Sequence, residues 1–469
     1  MKVVFCSSEV FPFAKSGGLG DVCGSLPLAL SKIGIEVAIV MPGYGCVGKS
    51  GYPMEQVTET VSRTKLGDNI QVHFIEHEDY FGRDGLYGYA SGDYPDNIDR
   101  FGFYCDQVLR LLKQIDFQPD VIHCHDWQTA LIPVYIKEKY GEDAFYARTK
   151  TIMTIHNLAF QGVFPRVQYP KLDVEGSFAA QSFEFYDQIN LLKAGIIYSD
   201  KVTTVSPQYA KEIQTKQFGC GLEGILGARY DGVTGILNGL DHDIWNPRTD
   251  DIIAAQYSAD DFDDAKLTNK MQLQKELYLD VRDDVPLLGF VGRLSHQKGL
   301  DLIIATLEDL VKMDVQMVFL GLGNGHYQEK LKQMAALYSD NIAVCFDFNE
   351  PLSHQIYAGS DLFLMPSQFE PCGLSQMISL YYGTIPVVFK TGGLADTVKP
   401  FGPLNKDGNG FVFTDHSNAA YLKVIQKAIK VFRNEKEFHR LRSNAFRCDF
   451  SWEKSACVYQ EIYHNVEKQ

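Results

Sequence analysis

Arg293 and Lys298 stand in Gly289-Phe290-Val291-Gly292-Arg293-Leu294-Ser295-His296-Gln297-Lys298-Gly299, which begins as a buried strand and ends in a polar loop before a helical pattern over 300–312. They therefore fall at the carboxyl end of a strand, where open α/β sheets bind ligands. A guanidinium grips a diphosphate through two oxygens and an ammonium adds a compact point charge, so the pair has the chemistry to neutralise a departing nucleotide. Taken alone, a solvated basic pair is the better reading. Ser367-Gln368-Phe369-Glu370-Pro371-Cys372-Gly373-Leu374-Ser375-Gln376 follows a second strand, read over 361–366. Proline suits a first helical turn, which predicts Glu370 at a helix N-terminus pointing into the same cleft, either acting there or capping the helix. Cys372, in apolar and prolyl company, reads as a packed thiol rather than a nucleophile.

His123-Cys124-His125-Asp126-Trp127 ends one strand and Thr154-Ile155-His156-Asn157-Leu158 ends another. His123 and His125 share a strand face and could be metal ligands, but no third and fourth ligand stands at a recognisable spacing, so no metal is expected. Asp126 and His156 read as groups that hydrogen-bond hydroxyls. Gly321-Leu322-Gly323-Asn324-Gly325-His326 has a histidine where a dinucleotide fingerprint needs its third glycine, which argues against a nucleotide-dependent oxidoreductase.

The elements that must position these groups are short β-branched apolar runs alternating with helical-period segments, the pattern of parallel sheets flanked by helices. Strands are predicted over 2–7, 36–41, 120–125, 151–156, 201–206 and 233–238, and then over 286–292, 316–321, 342–346, 361–366, 385–389 and 410–413. The Asp-rich stretch 241–264, broken by Pro247, marks the boundary between two domains, 1–240 and 241–450. A closing amphipathic helix in 451–469 could return to the first. The Gly-, Tyr- and Asp-rich stretch 43–100 interrupts the rhythm and is expected to lie over the first domain as an insertion.

One internal echo spans the two sets. Ser16-Gly17-Gly18-Leu19-Gly20-Asp21-Val22 follows the first strand and Thr391-Gly392-Gly393-Leu394-Ala395-Asp396-Thr397 a late one. A single glycine pair is an ordinary tight turn. Two matched copies favour two helix N-termini whose free N–H groups face phosphate across a common cleft.

Composition narrows the function classes. Of 469 residues 45% are hydrophobic, enough for a substantial core in each half, and the net charge of −15 argues against a nucleic-acid or anionic-membrane partner. The ten cysteines are scattered and never form a CxxC pair, which reads as buried thiols in a reducing compartment. With no signal sequence or membrane-length apolar run, a cytoplasmic protein is expected, or a mature plastid one.

With these residues in view the sequence resembles the bacterial glycogen synthase and plant starch synthase family, retaining glycosyltransferases of the GT-B fold. The likeness rests on Lys15 to Val22 (with Ser16 where the family usually has Thr), HCHDW, TIHNLAFQG, ILNGLDHDIWNP, GRLSHQKG, FEPCGL and YGTIPVVFKTGGLADTV. It implies an α/β architecture of two Rossmann-like, doubly wound parallel-sheet domains facing a deep cleft. It also implies transfer of glucose from ADP-glucose to the non-reducing end of an α-1,4-glucan, glycogen or a maltooligosaccharide, with no cofactor or metal. By the same resemblance Lys15, Gly18, Arg293 and Lys298 contact the donor's diphosphate, Glu370 lies beside the transferred glucose and His156 near its hydroxyls, with Asp126 in the catalytic set. Gly17, Asp21, Asn238, Ser375, Gly392 and Gly393 complete the donor side, Phe348 stands where the family often sets an aromatic against adenine, and Tyr94 belongs to a motif near the acceptor groove. Related GT-B enzymes carry a second Glu eight positions after Glu370, for the ribose; Ile378 stands there. The alternatives are a GT-B transferase with UDP-glucose or another acceptor, and a non-catalytic glucan-binding paralogue.

Overall fold

Lys2-Val3-Val4-Phe5-Cys6, Glu36–Pro42, Leu287–Val291 and Ile385–Phe389 are near-continuous apolar runs, the composition a parallel strand takes when both faces of its sheet are covered. The computed structural model describes residues 1–89 and 92–468; positions 90, 91 and 469, the first two within the stretch read as an insertion, lie outside the described residues. The chain divides into two units, Met1–Gly239 with Trp452–Gln469, and Leu240–Ser451.

The first unit holds a nine-stranded sheet in the order Val233–Gly235, Lys201–Thr204, Lys150–Ile155, Val121–His125, Lys2–Cys6, Glu36–Pro42, Ile70–Ile75, Val61–Leu66, Glu55–Thr58. The first seven run parallel and the last two are antiparallel additions. This corrects the expected insertion: residues 55–75 extend the sheet edge instead of lying over it, because Ile70, Val72 and Phe74 are apolar enough to pair beside Glu36–Pro42. From Lys2–Cys6 the chain builds outward to Ile70–Ile75, then returns to the other side of Lys2–Cys6 with Val121–His125. The strand order reverses there, and in open sheets the crevice at that point takes the ligand.

The helix Trp452–Glu467 belongs to this unit. Its Tyr463 hydroxyl meets His123 Nδ1 at 2.8 Å, His123 Nε2 meets Thr154 Oγ1 at 2.6 Å, and Thr154 meets Thr203 at 2.6 Å, a polar row across three buried strands. Burial pulls His123 down to about 3, so it is a neutral link in that row.

The second unit has six parallel strands in the order Ile342–Cys345, Gln316–Leu320, Leu287–Val291, Leu362–Met365, Ile385–Phe389, Phe411–Phe413, with the reversal between Leu287–Val291 and Leu362–Met365. The amino ends of those two strands are fixed by Asp361, which pairs with Lys270 at 2.9 Å and Arg442 at 2.7 Å and accepts the Leu287 N–H. The stretch read as the boundary packs into this unit: Asp250 is buried against His354 at 2.7 Å and Tyr382 at 2.6 Å, with Trp245 stacked on His354. Burial alone would raise the Asp250 pKa, but the bonds from His354 and Tyr382 outweigh it and hold the carboxylate below its ordinary range. Ile378 lies in the apolar cluster with Tyr357, Phe363 and Met365.

Candidate active site

In the second unit the reversal point gathers the cationic loop and the acidic one. The Leu287–Val291 strand delivers Arg293, exposed, and Lys298, half-buried; the Leu362–Met365 strand delivers Glu370. Lys298 Nζ stands 2.6 Å from Glu370 Oε2, with side chains 23% and 8% exposed, and the Ser367 hydroxyl donates to the same oxygen at 3.1 Å. The loops are stitched together: Gln368 N–H donates to the Gln297 carbonyl at 2.9 Å, and the Gln368 amide meets His296 Nε2 at 2.8 Å while His296 Nδ1 engages Asp301.

The expected helix start at Pro371 is wrong. The helix runs Ser375–Tyr381, so Glu370 is no helix cap; its carboxylate is turned to Lys298. Gly373 at φ +78° breaks the helical path between Pro371 and Ser375. Ser375 opens the helix and hydrogen-bonds the buried Tyr357 phenol. Phe348, in the loop after Ile342–Cys345, is 81% exposed and offers a whole ring face.

The two glycine pairs are glycine for different reasons. A Cβ on Gly392 would lie 2.0 Å from the Glu370 carbonyl oxygen and one on Gly393 2.0 Å from that of Cys372. Gly393 N–H donates to the Glu370 carbonyl at 3.0 Å. The Gly393 N–H is thus engaged in seating the Glu370 loop and is not one of the free N–H groups expected for phosphate. Around Gly17 and Gly18 a Cβ would meet nothing within 4 Å, and Gly18 begins the helix Gly18–Lys32 on open space. The Ser16 and Gly17 N–H groups, however, are both donated to the Glu9 carboxylate. Lys15 pairs with Asp21 at 2.6 Å, both partly exposed.

At the reversal point of the first unit, Asp126 takes φ +56° with ψ −176°, a strained conformation outside the left-handed helical region that residues other than glycine rarely adopt. Its Oδ1 accepts the His156 N–H at 2.7 Å, and His156 Nε2 meets His125 Nδ1 at 2.9 Å. Burial pushes Asp126 up to about 7 against the pull of the His156 and Asn157 N–H groups, and Glu9 adds to the rise. Burial also draws His156 down to about 3, so it is neutral at pH near 7, one ring nitrogen donating and the other accepting. This is hydroxyl-binding chemistry. Among the described residues no group of three or more His, Cys, Asp or Glu is arranged to hold a metal ion.

Asn238 is buried where residues 237–239 run beside Trp452 and Ser455. Tyr94 is 3% exposed, its hydroxyl accepting the Gly85 N–H and its ring flanked by Arg83 and Arg100 at 4.7 and 4.8 Å, so it offers a ligand little surface. Sequence reading passed over Glu9 and Tyr87, although an acid three residues past an apolar strand was a signal for the first.

Two family models match: starch synthase catalytic domain over residues 2–228 and glycosyl transferases group 1 over 278–447. The chain is 44% identical to glycogen synthase of Geotalea daltonii, over 99% of both chains, and 44% identical to that of Syntrophotalea carbinolica, again over 99% of both. Among solved structures it is similar to the catalytic domain of starch synthase IV from Arabidopsis thaliana bound to ADP and acarbose, with a TM-score of 0.90 and 34% identity, covering 100% of this chain and 99% of that one.

Proposed function

The chain belongs to the family of bacterial glycogen synthases and plant starch synthases, and from that membership we propose that it transfers glucose from ADP-glucose to the non-reducing end of an α-1,4-glucan with retention at the anomeric carbon. The observation that carries the reading is the Lys298–Glu370 pair at the reversal point of the second sheet, with Arg293 on the adjoining loop. Breaking the glycosidic bond puts negative charge on the departing ADP and positive charge on the glucosyl carbon. Lys298, held on one loop, and a carboxylate held on the next answer both with little reorientation as charge develops, and the exposed Arg293 adds positive charge beside them. Loss of one such donor costs about 2.7–4 kcal/mol of transition-state stabilisation.

The remaining assignments follow the same chemistry. Lys15 and the open start of the Gly18–Lys32 helix act on the diphosphate, and Phe348 gives the adenine a face. Neutral His156, oriented through Asp126 and His125, serves sugar hydroxyls. Arg293 and Lys298 supply the positive charge that a metal supplies elsewhere, so the reaction runs without one. The glucan acceptor is glycogen or a maltooligosaccharide. Among the described residues no helix is long and apolar enough to cross a membrane. From the bacterial glycogen synthases to which the chain is similar, we place the protein in the cytoplasm. A donor comparison tests the proposal: ADP-glucose should support glucan extension at least about tenfold better in kcat/KM than UDP-glucose, a difference of about 1.4 kcal/mol. Equal use of both would overturn the donor assignment.

A further inference from the structure

Glu9, three residues past the end of the first strand, is 3% exposed. A buried carboxylate persists only when its oxygens are hydrogen-bonded, and four donors reach this one. Oε2 accepts the Ser16 N–H at 2.5 Å and the Gly17 N–H at 3.2 Å; Oε1 accepts the Ser16 hydroxyl at 2.6 Å and the Tyr87 phenol at 2.6 Å. Three of the four donors come from the Lys15–Gly18 loop, so the loop is folded on this carboxylate. The fourth comes from elsewhere in the chain. Tyr87 also meets the Ser8 hydroxyl at 2.8 Å, and its carbonyl accepts the Tyr94 N–H and the Asn97 side-chain amide, each at 2.9 Å. Asn97 in turn accepts from Arg100 at 2.7 Å, whose guanidinium lies over the Tyr94 ring. One residue thus joins the loop assigned to the donor with the backbone around Tyr94, whose motif the family resemblance puts near the acceptor groove although its side chain is buried.

We propose that Tyr87, through Glu9, is a positioning residue that couples these two segments, so that a glucan held on the acceptor side tightens the loop's hold on the donor's diphosphate. The inference rests on the function proposed above. Its physical basis is that the Tyr87 phenol and the Ser16 hydroxyl share one carboxylate oxygen, each at 2.6 Å. Displacing the Tyr94 backbone therefore moves the phenol, and with it the oxygen that holds Ser16. Coupling of this kind is reciprocal and typically amounts to about fivefold or more in affinity.

The test is calorimetric titration of the full chain with ADP, alone and with saturating maltoheptaose. For the unaltered protein the ratio of the two dissociation constants should be about five or more. In Tyr87→Phe, which removes only the hydroxyl, the ratio should fall towards one. If Tyr87 merely supports the fold, the variant weakens ADP equally in both titrations and the ratio stays at the wild-type value, which overturns the proposal; so does a wild-type ratio of one. Ser16→Ala, at an exposed position, cuts the loop side of the same carboxylate oxygen and should also lower the ratio, so the inference stands open to refutation even if Tyr87→Phe folds poorly. Failure of ADP to bind at all, together with absent glucosyl transfer, would instead sink the functional reading on which the coupling depends.

Discussion

Replacing Lys298 with alanine separates a reacting group from a structural one. In the structure its ammonium is 2.6 Å from Glu370 Oε2, and among the described residues the other side-chain donor to that oxygen is the Ser367 hydroxyl at 3.1 Å. Stranding a buried carboxylate costs about 3–5 kcal/mol when both partners are fully enclosed. Lys298 retains 23% exposure, so water enters once it is truncated and about 1–3 kcal/mol is the better expectation. For a unit of this size that lowers Tm by roughly 2–12 °C. The rate should fall further, by about 10²–10³ in kcat, because the ammonium acts on charge that exists only as the donor breaks. The double variant Lys298→Met with Glu370→Gln removes both charges and leaves no unpaired ion, so its Tm should recover most of the loss while kcat stays low. Initial rates of ADP release and scanning calorimetry on the three proteins decide the matter. If the double variant regained wild-type kcat along with its Tm, Lys298 and Glu370 would be scaffold and the site assignment would fail.

Asp126, held up near 7 against an unfolded value of 3.8, binds a proton more readily when folded. Its contribution to stability is therefore fully present below about pH 3.8 and is lost as pH rises through about 7, a penalty of at most about 4 kcal/mol. Asp126→Asn should consequently raise Tm more at about pH 8 than at about pH 5, and calorimetry giving the same change at both would contradict this. Gly393→Ala forces a Cβ against the Cys372 carbonyl and should cost about 1–3 kcal/mol in denaturant titration. Gly18→Ala meets no protein atom and should leave stability unchanged while raising KM for ADP-glucose; an unaltered KM would mean that the open space there is not used by the donor. Chelator should leave the rate nearly unchanged, and activity lost in EDTA and restored by Mg²⁺ would reject the metal-free scheme.

Much of the scaffold was legible because buried parallel strands announce themselves as apolar runs: Ile385–Phe389 and Gln316–Leu320 begin where the sequence put them. The antiparallel edge was not, because strands such as Val61–Leu66 alternate polar and apolar residues and lie among turn-forming glycines, so their pairing is decided by the neighbouring Ile70–Ile75. At the site, strand ends fixed where Arg293, Lys298 and Glu370 emerge. The helix start was misjudged because a proline's fixed φ fits several turns, and the glycine two residues later set the path. The Glu9 network was hidden for another reason. Its partners are separated by 7, 8 and 78 positions, and only the folded chain joins them.

Glucosyl transfer with retention can be followed by proton NMR of one reaction. With ADP-glucose and maltoheptaose, ADP should appear in step with new α-1,4-linked anomeric protons, with no free glucose. ADP released with free glucose alone, a β-linked product, or no ADP from folded protein would contradict it.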